Sequence, residues 1–91
     1  MRSLSPALSV IVPVLNEGAT LAARLDALAA LRARGAQVIV VDGGSTDASW
    51  MLAQGRADAV CLSARGRAAQ MNAGANAARG AVLLFLHADT Q

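Results

Sequence analysis

Four short apolar runs, separated by stretches that read as helix, constrain this chain more than anything else in it. They are Leu8–Val14 (LSVIVPV), Gln37–Val41 (QVIVV), Ala57–Leu62 and Ala81–Leu86 (AVLLFL). The first two are apolar almost throughout and rich in β-branched residues. Strands that read this way are buried on both faces, as in parallel sheets. Between the first two runs, Ala19–Arg34 carries Leu21, Leu25, Leu28 and Leu31 at helical spacing, with Arg24, Asp26 and Arg32 turned to water. A short helix follows the turn Asp42–Asp47 (DGGSTD). A longer one is predicted over Arg67–Arg79, presenting Met71, Ala75 and Ala78 on one side. The order β-α-β-α-β-α-β requires a parallel sheet with right-handed crossovers, an α/β fold of Rossmann-like type with flanking helices.

Local punctuation fits that order. Asn16 reads as the N-cap of the first helix, with Glu17 in its first turn and Gly35 at its end. Ser45 reads as the N-cap of the second, with Asp47 in its first turn. Gly66 opens the last helix and Gly80 closes it at the C′ position. Pro13 lies near the end of its strand, where a missing N–H does little harm.

Composition narrows the function. A chain of 91 residues is one small domain. With 55% hydrophobic and 15% charged residues it is not a disordered tail, although its many alanines make the core thin. All eight basic residues are arginine, spread from Arg2 to Arg79, and the aromatics are Trp50 and Phe85 alone. A dispersed charge without a stacking platform excludes nucleic acid as the expected partner. The lone Cys61 has no internal disulfide partner and reads as a small core residue. No stretch approaches the roughly 18 apolar residues of a membrane helix. Arg2 and Leu8–Leu15 imitate a signal peptide, but Pro13 and the Asn16–Glu17 pair interrupt it, so the expected location is cytoplasmic. The sequence stops five residues after its last apolar run, with no helix to follow. It is therefore expected to be the first part of a longer domain, whose missing parts could attach it to a membrane. Its uncovered last strand is expected to favour self-association.

In an open parallel sheet, ligands bind outside the carboxyl ends of the strands. Three of the four predicted strands exit there into polar residues: Asn16 and Glu17, then Asp42 to Asp47, then His87 and Asp89. Four of the six acids of the chain thus gather at one edge. Converging like charges repel, and such a set usually awaits a cation or a hydrogen-bonding ligand. The alternative is that Asn16, Ser45 and Asp47 are caps and turn formers. No GxGxxG follows the first strand, where the residues are PVLNEG, and there is no GxxxxGK[ST]. A dinucleotide-binding domain and a P-loop protein both lose their defining turn. Asp42 still suits a ribose, since a carboxylate at the end of the second strand can accept from two hydroxyls.

The runs SVIVPVLNEG, VIVVDGGSTD and RGRAAQMNAGANAARGAVLLFLHADT, in this order from Ser9 to Thr90, resemble the family 2 glycosyltransferases, nucleotide-sugar-dependent enzymes of the GT-A fold. The resemblance implies that residues 1–91 are the nucleotide-sugar-binding part of such a domain, without the acceptor half. It implies that Pro13, Asn16 and Glu17 line the nucleotide pocket and that Asp42 helps hold base and ribose. Asp47 would stabilise its helix turn, and Arg67 and Asn72, in the helix flanking the pocket, would bind the nucleotide, Arg67 at the diphosphate. His87-Ala88-Asp89 stands where the family carries its Asp-x-Asp metal motif. The sequence departs from the pattern at His87 and keeps Asp89, the acid that touches the metal. An imidazole can also ligate Mn²⁺, whereas Mg²⁺ prefers oxygen. The implied cofactor is Mn²⁺ or Mg²⁺. The implied partner is a nucleotide-diphosphate sugar, with the acceptor undetermined. The implied reaction is an inverting single displacement whose general base belongs to the acceptor half, beyond residue 91. Asp58, at the start of the third strand, lies on the wrong edge to serve. The competing reading is a nucleotide-binding α/β module without catalysis.

Overall fold

Two strands buried over nearly their whole length form the middle of the protein. β1 (Leu8–Val14) and β2 (Gln37–Asp42) pair in parallel from Ser9↔Gln37 to Val14↔Asp42. The computed structural model describes residues 6–86. β3 (Ala59–Leu62) pairs in parallel with β2, and β4 (Val82–Phe85) pairs in parallel with β1. The sheet order is therefore β3-β2-β1-β4. The α/β class and the all-parallel sheet agree with the sequence pattern.

The chain leaves β1 in one direction along the sheet, toward β2 and β3, and then returns past both to β4. Right-handed crossovers then require helices on opposite faces for the two directions, and that is the arrangement found. α1 (Gly18–Ala27), α2 (Ala29–Ala33) and α3 (Ser49–Ala53) cover one face. There Leu21, Leu25 and Ala53 pack with Val10, Val12, Val14, Val38 and Val40. α4 (Arg67–Ala77) covers the other face, where Ala73 and Ala77 pack on Ile11, Ile39 and Val41. Fully burying a leucine such as Leu21 or Leu25 stabilises by about 2 kcal/mol relative to exposing it. No helix among the described residues is long and apolar enough to cross a membrane.

The first predicted helix, Ala19–Arg34, is two helices. Leu28 separates them, its N–H bonding to Leu25 O at 3.0 Å. The leucine spacing explains the break. Steps of three from Leu25 to Leu28 to Leu31 drift around a straight α-helix. A three-residue turn keeps them over the sheet, and both Leu28 and Leu31 pack against the core. The predicted strand and helix ends also retract: β3 begins at Ala59, β4 spans Val82–Phe85, and α4 stops at Ala77. Gly80 is not a C′ cap. A Cβ there would stand 2.7 Å from Ser9 N and Oγ, so glycine is required by close approach to β1.

The buried side of α4 also differs from the sequence reading. Ala78 does pack on the sheet, but the helix residues that are fully covered are Gln70 and Gly74, not Met71 and Ala75. A Cβ on Gly74 would overlap Ile11 Cγ2 and stand 3.2 Å from Val41 Cγ2. Glycine thus sets the height at which α4 rides on the sheet. β4, by contrast, is an edge strand among the described residues: Val82, Leu83 and Leu84 are exposed, Val82 at 59%, and Phe85 packs on the Ile11 cluster.

Gly74→Ala is expected to destabilise the protein by about 1–3 kcal/mol, the usual cost of forcing a methyl into a packed core. Chemical denaturation of the two proteins measures the difference. An unchanged midpoint would show that α4 does not sit on Ile11 in this way.

Candidate functional site

The switch point of the sheet lies between β1 and β4, the place where strand order reverses and where open α/β sheets bind ligands. The ladder between these strands runs from Leu8↔Val82 to Ile11↔Phe85, with Leu86 N donating to Ile11 O at 2.9 Å. Ile11 O faces β4, whereas Val14 O accepts from Gly43 N on the β2 side at 3.0 Å. Peptide groups alternate along a strand, so Pro13 turns its nitrogen toward β4, beyond the last paired residue. A proline is harmless there because no ladder bond is asked of it.

Two loops meet above the ends of β1 and β2. Asn16 is held at φ +53°, in the left-handed region that asparagine tolerates better than most residues. Its N–H donates to Ser45 Oγ at 2.8 Å. Its side-chain Oδ1 accepts from Thr46 N at 2.7 Å, from Thr46 Oγ1 at 3.3 Å and from Asp47 N at 3.3 Å. Glu17 N donates to Ser49 Oγ at 2.9 Å, and Gly18 N donates to Asp47 Oδ2 at 3.0 Å. The expected caps are therefore not caps. α1 begins after Glu17 and α3 after Ala48, and neither has a side-chain cap bond. Asn16 and Ser45 spend their polar atoms tying one loop to the other.

The acids at this rim are mostly bound to the backbone. Asp47 Oδ1 accepts from Ser49 N at 2.8 Å and Ser49 Oγ at 2.6 Å, while its Oδ2 holds Gly18 N. Asp42 is 1% exposed. Its Oδ1 accepts from both Gly44 N at 2.8 Å and Ser45 N at 2.6 Å, which folds the DGGS segment into a tight turn. The second carboxylate oxygen takes no part in that turn. Glu17 accepts from Leu15 N at a long 3.4 Å and stands 3.9 Å from the Arg24 guanidinium. Backbone amides and the Arg24 guanidinium thus offset part of the negative charge here. No group of three metal-ligating side chains occurs among the described residues. His87 and Asp89 lie outside them.

The expected site residues divide accordingly. Pro13, Asn16, Glu17 and Asp42 come together at the ends of β1 and β2. Arg67 is exposed in the first turn of α4, which starts at this same rim because β3 ends there. Asn72 follows Gln70 by two residues, about 200° around the helix, and is exposed on the side away from the sheet. Asp58 sits at the opposite rim, where its Oδ2 accepts from Val38 N at 2.7 Å and its two oxygens meet the Arg32 guanidinium.

Two buried polar residues at the rim escaped the sequence reading. Ser49 is fully covered and links Asp47 to Glu17. Gln70 is 7% exposed, and its Nε2 donates to Val14 O at 2.9 Å and to Val41 O at 3.1 Å. The stripe Gln70-Ala73-Gly74-Ala77 gives the signal for it: the smallest side chains recur at the spacing of one helix face, with one amide among them.

The hydrogen bonds to Asp47, that of the Ser49 hydroxyl first, hold its carboxyl below the usual carboxylate range. Folding thus favours the ionised form. Its contribution is complete above the unfolded pKa of about 3.9 and is lost as pH falls through the lower folded value. The stability gap between wild type and Asp47→Ala in urea is expected to stay constant down to about pH 5 and to narrow below about pH 4. An equal gap at every pH would remove ionised Asp47 from the account of this loop.

Comparison with known proteins bears on this rim. The model of the family described as Glycosyl transferase family 2 matches residues 9–91. No curated protein sequence matches the chain. Among solved structures, it is similar to glucosyl-3-phosphoglycerate synthase from Mycobacterium tuberculosis, crystallised with Mn²⁺, UDP and glucosyl-3-phosphoglycerate. The TM-score is 0.82 at 26% sequence identity, over 92% of this chain and 34% of the other. The chain therefore spans about a third of that enzyme's length.

Proposed function

We propose, since the chain belongs to glycosyl transferase family 2, that it forms the donor site of an enzyme moving a sugar from a nucleoside diphosphate to an acceptor hydroxyl. The observation that carries this reading is the buried Asp42 at the end of β2. Its Oδ1 is fixed by two amides while its other oxygen is left over for a ligand at the switch-point rim. A carboxylate locked in this way can accept from base or ribose without first being ordered. Asn16 and Glu17 shape the adjoining wall through the backbone that they hold, and Pro13 stands beside it near the end of β1. Arg67 and the first amides of α4 supply positive potential for the diphosphate. Asn72, on the far side of α4, has no part in this reading.

Asp89 and His87 are the residues proposed to hold Mn²⁺ or Mg²⁺. A carboxylate oxygen suits either ion, and an imidazole favours Mn²⁺. The solved relative was crystallised with UDP and Mn²⁺, which supports this pairing. When bound, the cation offsets charge on the departing nucleoside diphosphate. The reaction proposed is a single displacement with inversion. As the family resemblance implies, the base that takes the acceptor proton is assigned to the acceptor half of the longer family domain; Asp58, at the opposite rim and held by Arg32 and Val38 N, is not a candidate.

Calorimetry of the chain with UDP and with GDP, each with and without Mn²⁺, tests the reading. One nucleotide is expected to bind in the presence of metal. Asp89→Ala and Asp42→Asn are each expected to weaken it at least about tenfold, or ~1.4 kcal/mol. Asp42→Asn keeps an oxygen for the turn and removes only the charge. Binding that ignores both substitutions and a chelator would overturn the assignment.

A further inference from the structure

The two rim loops follow different strands, and apart from the part-buried bond of Glu17 N to Ser49 Oγ their mutual bonds lie near the surface, where water competes for them. The bonds from Asn16 to Ser45, Thr46 and Asp47 are all exposed. A firmer tie lies beneath them. Gln70 reaches from α4, on the far face of the sheet, to the ends of both central strands. Its single amide nitrogen donates to Val14 O, at the last residue of β1, and to Val41 O, one residue before the end of β2. Val14 O also accepts from Gly43 N, the first residue after β2. One buried side chain therefore meets the exit points of both loops.

The neighbourhood is built around that amide. A Cβ on Gly43 would stand 3.0 Å from both Cδ and Nε2 of Gln70, so only glycine leaves the amide its place. Gly74, one turn further along α4 on the same face, brings the helix close enough for Gln70 to reach the carbonyls. Glutamine fits the task chemically. It presents two N–H donors on one flat nitrogen, as a carboxylate, a thioether or a hydrocarbon cannot. Without it, two buried carbonyls lose a donor in a place that water does not reach.

We propose that Gln70 is a positioning residue: by donating to Val14 O and Val41 O it sets the separation of the loops after β1 and β2, and with it the geometry in which Asn16, Glu17 and Asp42 receive a nucleoside diphosphate. The second half of this statement rests on the function proposed above. The first half does not.

The test uses the ¹⁵N-labelled chain and two substitutions. Gln70→Met keeps the bulk and removes both donors. Gly43→Ala keeps Gln70 and pushes its amide aside, and it serves if the first variant fails to fold. Amide hydrogen exchange is expected to rise at least about tenfold at Gly43, Gly44 and Ser45 and also at Asn16 and Glu17, while Ile39 and Val40 in mid-sheet keep their protection. Affinity for UDP or GDP with Mn²⁺ is expected to fall in the same variants, by a factor at least as large as the change in either loop. Exchange that rises evenly through the sheet, or in one loop only, would overturn the positioning role, whatever the nucleotide result. If the loops loosen together but nucleotide affinity is unchanged, the link from Gln70 to the site is wrong. If wild type binds neither nucleotide, the proposed function fails, and the exchange pattern still decides the role of Gln70.

Discussion

The parallel pairing of β1 with β2 is the constraint on which the rest depends. Ser9 to Val14 and Gln37 to Asp42 are all buried. Neither face can be left to water, so the chain must place helices on both sides. It does so with leucines from α1 and α2 on one face and with small residues from α4 on the other. Parallel pairing also sends every strand out at the same edge. The segments after β1, β2 and β3 and the end of β4 therefore gather without any specific attraction between them. The location of the rim is a consequence of topology, and only its fine geometry is left to particular side chains.

That division explains what could be read from the sequence. The two central strands were legible because double burial leaves an unbroken apolar run, a local property. The same holds for the leucine face of α1 and for Gly35, which takes φ +98° at the helix end. Asn16 and Ser45 were misassigned for the opposite reason. Each has the chemistry of a cap, and each spends it on a partner some 30 residues away, whereas Asp47 does hold the first residue of α3 with one oxygen and reaches Gly18 with the other. Residue type shows that an oxygen will be used there. It does not show whether the nearest helix or a distant loop will use it. The Met71–Ala75 side of α4 failed through assumption of an apolar contact. Where a helix packs against β-branched strands at close range, the covered face is the smallest one, and a buried glutamine can belong to it.

The acids at the rim illustrate how structure alters a charge argument. Counted along the sequence, they look like repelling carboxylates in need of a cation. In the fold, Asp47 has both oxygens on donors, Asp42 has one oxygen on two amides, and Glu17 stands beside Arg24. Backbone amides at the starts of loops and helices do part of the work that a metal would otherwise do. This leaves Asp42 distinct from Asp47. One oxygen of Asp42 takes no part in the turn, on a carboxylate that is almost wholly covered.

Pro13 and the switch point belong to one argument. A proline inside a central strand normally breaks a ladder bond, and β1 is central. It is tolerated because its nitrogen faces β4, whose pairing with β1 ends at Ile11↔Phe85. On its other side β1 keeps its full register with β2 as far as Val14↔Asp42. Among the described residues, β1 is thus paired to its end with β2 and as far as Ile11 with β4. The β4 edge is the one where strand order reverses. Pro13 therefore turns a nitrogen that cannot donate toward the edge at which open α/β sheets bind ligands.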